Sequence, residues 1–115
     1  MPASTHYIRF EHNGTIAYGE LEDGQVHSLD GDPFSDPQCT GESHALDDVR
    51  LLAPCEPSKV IAVGLNYLSH LGGREPSEIP PIFLKLPTSI IGSGESIVLP
   101  ADAPSTHYET EMVLV

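Results

Sequence analysis

Short runs of alternating apolar and polar residues open the chain, separated by pairs that favour tight turns. Residues 6–10 alternate, Asn13-Gly14 marks a turn, and residues 15–21 return as Thr-Ile-Ala-Tyr-Gly-Glu-Leu. Asp23-Gly24 makes a second turn into residues 25–29. This pattern predicts an antiparallel meander. Residues 31–43 are rich in Pro, Asp and Gly and predict an exposed loop. Residues 45–52 predict a short strand, closed by Pro54 and Pro57, with the domain boundary at 53–58. Lys59-Val-Ile-Ala-Val-Gly64 has the β-branched run of a buried strand. Residues 66–71 predict a turn of helix ended by Gly72-Gly73, followed by a mobile segment over 72–81. Residues 82–85 and 96–99 predict further short strands, with Pro87, Gly92 and Gly94 breaking the chain between them. Residues 107–115 predict a last strand, placing Glu109, Glu111, Val113 and Val115 on one face and Thr110, Met112 and Leu114 on the other. The expected fold is mostly β. A small N-terminal antiparallel β-domain spans 1–55, and a β-rich second unit over 56–115 breaks off in mid-strand.

Composition narrows the function classes. Seventeen acidic residues against five basic give a net charge of −12. That balance argues against nucleic acid and against anionic membrane surfaces, both of which need basic patches. The acids are dispersed, so they read as a solvated surface rather than a tail. An anionic substrate would have to be drawn in by local cations. Cys39 and Cys55 lie too far apart for a zinc site. The first residues lack the apolar core of a signal peptide, and no apolar run is long enough to span a bilayer. A cytoplasmic protein with reduced thiols is the expectation.

Three places carry candidate chemistry. Glu109 and Glu111, two residues apart on a strand, would share a face and repel each other. A hard divalent cation that takes oxygen ligands would relieve that repulsion. From Glu-x-Glu alone, a solvated face holding two acids is the plainer reading. Asn66-Tyr67-Leu68-Ser69-His70 directly follows the expected buried strand, a common way to expose polar groups at a fixed position. Taken singly, His70 reads as a capping or surface imidazole. Lys85 stands alone among apolar residues in Phe83-Leu84-Lys85-Leu86. It could snorkel to solvent or face a cavity.

Taken in order, these pieces resemble the fumarylacetoacetate hydrolase family. The resemblance runs through Lys59-Val-Ile-Ala-Val-Gly-Leu-Asn-Tyr-Leu-Ser-His70 and Pro81-Ile-Phe-Leu-Lys-Leu-Pro-Thr-Ser89. It continues through Ile90-Ile-Gly-Ser-Gly-Glu-Ser-Ile-Val-Leu-Pro100 and His107-Tyr-Glu-Thr-Glu111. Gly19-Glu-Leu-Glu-Asp-Gly-Gln-Val-His27 and Gly31-Asp-Pro-Phe34 resemble the small N-terminal β-domain of bacterial members, and Asp47-Asp-Val-Arg-Leu-Leu-Ala-Pro54 the joint that follows it.

The resemblance implies the first part of a mixed β-roll catalytic domain that binds Mg²⁺ or Mn²⁺ in a carboxylate cluster. It implies hydrolysis, isomerisation or decarboxylation of small 2-oxo or 1,3-diketo acids in the catabolism of aromatic compounds, carried out by a homodimer. By motif, Glu109 and Glu111 correspond to metal ligands and His70 to the general base, an imidazole being the side chain that ordinarily titrates nearest neutrality. Asn66, Tyr67, Lys85 and Ser89 correspond to substrate-contacting positions. The family's third metal carboxylate lies beyond residue 115. Leu71-Gly72-Gly73 stand where an acidic partner of the histidine is usual, and Leu65 where many members carry arginine. The alternative is a truncated, non-catalytic β-domain serving as an interaction or vestigial module. A last strand with unpaired edge groups and an uncovered apolar face predicts that the 115-residue chain is poorly soluble or self-associates. Sedimentation checks this, and a monodisperse monomer contradicts it.

Overall fold

The computed structural model describes residues 4–103 and 105–115; Met1, Pro2 and Ala3, which open the segment expected to lack a signal peptide, lie outside them. The chain forms two compact units, one of Met1–Cys55 with Ile91–Val115 and one of Glu56–Ile90.

The first unit is built on five antiparallel strands: β1 (Tyr7–His12), β2 (Thr15–Glu22), β3 (Gln25–Leu29), β4 (Cys39–Ala45) and β5 (Arg50–Leu51). They are ordered β4-β3-β2-β1-β5. Both hairpins close as the sequence pattern requires. Asn13 and Gly14 adopt φ 49° and 79°, and Asp23 and Gly24 repeat those values. Two consecutive positive φ angles give the turn whose twist matches that of the flanking strands. The turns set the register, pairing Phe10 with Ala17 and Leu21 with Val26. A one-residue slip would turn every inward side chain outward.

The inward face holds the core: Phe10, Val26 and Leu29 are buried, and Ser28 is buried among them. Gly19 makes their meeting possible. A Cβ built there would lie 2.7 Å from Val26 Cγ1, 3.0 Å from His27 O and 3.1 Å from Phe10 Cε1. The sheet also curls on itself. In sheet order β2 and β3 separate β1 from β4, yet the His12 and His44 rings stack with centroids 4.2 Å apart and planes 24° from parallel. Phe10 reaches the same His44 ring at 5.7 Å. His12 is held from both sides, its Nδ1 donating to Asp48 O at 3.1 Å and its Nε2 accepting from Asn13 Nδ2 at 2.8 Å. Phe10, His12, Asn13 and His44 are among the residues that line a cavity of about 310 Å³.

Arg50 joins the later segment to this sheet. It pairs with Glu11 on β1 and, at 3.1 Å, with Glu95. Glu95 also accepts from Gly92 N at 2.9 Å, where an added Cβ would meet Leu51 O at 2.7 Å. Because Arg50 is about half exposed, these ion pairs position the segment more than they stabilise it, contributing roughly 0–1 kcal/mol each.

The second unit has β6 (Val60–Val63) and β7 (Ile82–Lys85), paired antiparallel with Val60 opposite Lys85 and Val63 opposite Ile82. β6 is half-buried and exposed by turns rather than fully buried. The described residues cover it with no second layer; a β-branched run reports strand preference, whereas burial needs a partner surface.

Three further expectations change. The expected loop over 31–43 is a loop only to residue 38, where Asp30 N donates to Gln38 O at 3.0 Å and Gln38 N to Asp30 Oδ1 at 2.8 Å. That clasp turns the chain into β4, whose sequence Cys-Thr-Gly-Glu-Ser-His-Ala has little strand propensity and is carried by its ladder to β3. Residues 45–52 divide into a 3₁₀ turn, Leu46–Asp48, and the short β5. Residues 96–99 and 107–115 are not in strands. A strand is stable only in a ladder, and among the described residues neither segment joins one.

Gly19→Ala is expected to destabilise the first unit by about 1–3 kcal/mol, the usual consequence of overpacking. Urea unfolding followed by circular dichroism measures it. An unchanged midpoint contradicts the close approach of Phe10 and Val26.

Candidate functional site

The second unit builds a concave surface at one end of its ladder. β6 runs out at Val63, and Gly64 N donates to Pro81 O at 2.7 Å, closing the last rung. Leu65 then takes φ 54°, left-handed backbone that a leucine adopts only at a cost of order 1–3 kcal/mol. This reversal turns residues 66–71 away from the strand. Leu68–His70 forms a single 3₁₀ turn, with His70 N donating to Tyr67 O at 2.9 Å. Gly72 and Gly73, at φ 59° and 84°, end it as their residue type allows.

One side chain holds this turn down. Leu71 is 5% exposed, the single buried apolar residue among the described positions of the second unit. Its carbonyl accepts from Arg74 N at 3.1 Å and from Arg74 Nε at 2.8 Å. The segment over 72–81 is therefore one wall of a cavity of about 330 Å³, lined also by Asn66, Tyr67, Pro80 and Pro81. Sequence reasoning passed over Arg74; the available signal was a cation in a chain that has only five.

The sequence-derived candidates divide between the two units. Asn66 and Tyr67 line the cavity. The His70 ring lies beside it, tilted 49° to the Tyr67 ring at 5.9 Å between centroids, and is exposed. Lys85 sits opposite Val60 at the start of β6, so about 10 Å of ladder separates its Cα from the end that leads to Asn66. Its Nζ lies 5.7 Å from the centre of the Phe83 ring, within cation–π range. The Ser89 hydroxyl donates to Leu86 O at 2.7 Å, closing the 3₁₀ turn Pro87–Ser89. Glu109 and Glu111 belong to the first unit, exposed and outside any strand.

As donors, two carboxylates fit a hard divalent cation in type, since Mg²⁺ and Mn²⁺ take oxygen ligands. They fall short in number. Among the described residues no group of three His, Cys, Asp or Glu is placed to hold a metal. Among those residues, too, no helix is long and apolar enough to cross a membrane.

Curled N-terminal sheet, β6–β7 ladder and glycine-ended turn define a mostly β protein with a fumarylacetoacetate hydrolase-like fold. The chain belongs to the fumarylacetoacetate hydrolase family: residues 59–115 match Fumarylacetoacetate (FAA) hydrolase C-terminal, and residues 5–54 match Rv2993c-like, N-terminal. It is 46% identical over 100 residues to Protein Rv2993c of Mycobacterium tuberculosis, covering 84% of this chain and 37% of that protein. It is 44% identical over 71 residues to oxaloacetate tautomerase Fahd2a, mitochondrial, of Rattus norvegicus, covering 58% of this chain and 22% of that protein. The solved structure of 5-carboxymethyl-2-hydroxymuconate delta-isomerase from Mycobacterium smegmatis superposes with TM-score 0.73 at 44% identity, over 85% of this chain and 39% of that one. The chain thus spans well under half the length of these relatives.

Leu71→Ala is expected to release the turn and to open the cavity, because the unit buries no other large apolar side chain among its described residues. Amide hydrogen exchange at His70 and Arg74 should then accelerate. Protection equal to that of the wild type contradicts the anchoring role.

Proposed function

We propose that this chain contributes to a metal-dependent enzyme acting on small 2-oxo or 1,3-diketo acids. The reaction is hydrolysis, isomerisation or decarboxylation of an acylpyruvate or a 2-hydroxyhepta-2,4-diene-1,7-dioate-type acid, in the catabolism of aromatic compounds. The observation that carries the reading is the match of residues 59–115 to Fumarylacetoacetate (FAA) hydrolase C-terminal. Two of the relatives reported above, named as an isomerase and a tautomerase, support the kind of reaction.

In this reading residues 1–55 are the small N-terminal domain and residues 56–115 the leading portion of the catalytic domain. Glu109 and Glu111 would supply two oxygen ligands to Mg²⁺ or Mn²⁺. Bound there, the cation would polarise the substrate's oxo group and stabilise negative charge developing on its oxygen. His70 takes or returns a proton through a ring nitrogen. Asn66 and Tyr67 orient the substrate from the cavity wall, while Lys85 and Ser89 contact it from the β7 side. The enzyme would act in the cytoplasm as a homodimer.

A second reading is a truncated, non-catalytic interaction module; among the described residues no group of three His, Cys, Asp or Glu is placed to hold a metal. One experiment separates the two. The 115-residue chain is assayed alone and as a chimera carrying the remaining catalytic segment of the M. smegmatis isomerase, with acylpyruvates and oxaloacetate as substrates. The chain alone is expected to be inactive. The chimera is expected to turn over at least one substrate with Mg²⁺ or Mn²⁺, to lose activity in EDTA, and to fall by about 10²-fold or more in Glu109→Ala and in His70→Ala. Turnover unchanged in Glu109→Ala removes the metal role, and a well-folded chimera without turnover leaves the interaction module.

A further inference from the structure

We propose that Arg74 is the anchor for the substrate's carboxylate, seating the acid end of a 2-oxo acid in the cavity beside Asn66 and Tyr67. This rests on the oxo-acid reading above and adds the residue that fixes the substrate's charged end.

The need comes from charge. A chain of net charge −12 repels a small anion, so a local cation must hold it. Four of the five cations are differently placed. Arg50 is taken by Glu11 and Glu95, and Arg9 also has a partner. Lys59 Nζ donates to Ser58 Oγ at 3.2 Å, and Lys85, assigned above to the β7 side of the substrate, lies over its own strand's Phe83 and outside the lining of the cavity that holds Asn66 and Tyr67. Of the two cavities described above, only the one in the second unit has a Lys or Arg in its lining, and that residue is Arg74.

The geometry suits an acid. Arg74 Nε is committed to the Leu71 carbonyl at 2.8 Å, and Leu71 is the buried point of the unit. The guanidinium plane is thereby fixed at its base. Its two terminal nitrogens have no hydrogen-bond or ion-pair partner among the described residues. That leaves the outer edge of the fork for two parallel N–H···O bonds to a carboxylate, with part of the side-chain entropy already lost. Glu75 is the other charged group of the lining, and it forms no ion pair with Arg74. A volume of about 330 Å³ lies within the range of small-ligand sites and accommodates a 2-oxo acid of a few heavy atoms.

The test is a titration of the 115-residue chain with pyruvate, the smallest 2-oxo acid, in EDTA, followed by amide NMR shifts. Pyruvamide, which lacks the charge, is the control. Pyruvate is expected to shift Asn66 and Tyr67 saturably, and pyruvamide is not. Arg74→Gln should weaken pyruvate binding about tenfold or more, as loss of a charge-assisted pair implies. Arg74→Lys, which keeps the charge without the fork, should weaken it by about threefold. A spectrum otherwise superimposable on that of the wild type certifies that each variant is folded. Affinity unchanged in Arg74→Gln, equal response to pyruvamide, or no saturable shift in the wild type overturns the proposal. Because metal and turnover are absent from this titration, failure of the catalytic reading registers in the chimera assay and failure of the anchor registers here.

Discussion

The described residues bury very few large apolar side chains: Phe10, Val26 and Leu29 in the sheet, and Leu71 in the second unit. So small an apolar core places the burden of shape on backbone ladders and on positions where two groups must come unusually close. Gly19 is such a position. Its lack of a side chain brings the Phe10 ring onto Val26, and the sheet can then curl until His44 on β4 stacks on His12 of β1. The Leu71 carbonyl does comparable service in the second unit, accepting from both the backbone and the side chain of Arg74. In each case one contact organises several residues, because little else is buried to share the task.

The candidate site follows from the same economy. A four-rung ladder with Gly64 closing on Pro81 supplies a rigid base. The chain reverses at Leu65, at the cost of left-handed backbone on a leucine, and delivers Asn66 and Tyr67 to the cavity wall. Strain of this kind persists only where the surroundings over-determine it. Here the rung before it and the buried Leu71 after it hold both ends. The site is thus a consequence of how the strand stops.

Charge sets the remaining condition. An excess of acids over the whole surface makes any anion's approach unfavourable, so chemistry on a small acid needs an exception in the field. Most of the cations are occupied with holding the fold, packing on a ring or local polar contacts. Arg74 keeps the outer edge of its guanidinium turned to no described partner, in a lining that it shares with Glu75. Glu109 and Glu111 are exposed, and among the described residues no group of three His, Cys, Asp or Glu is placed to hold a metal.

Much of the fold was legible because it is local. Asn13-Gly14 and Asp23-Gly24 dictate hairpins through their own dihedral preferences, and Gly72-Gly73 stop a turn for the same reason. The order of motifs from Lys59 to Glu111 was enough to indicate the family, which needs no coordinates. What depends on neighbours was not legible. β4 is strand only because β3 offers it a ladder, whereas residues 107–115, with better strand composition, join no ladder among the described residues. Arg74 reads in one dimension as a charge in a Pro- and Gly-rich loop, and becomes a cavity wall only when Leu71 is buried beneath it. Turn chemistry and motif order are properties of adjacent residues; pairing, burial and the convergence of charges belong to segments that meet only after the chain has folded.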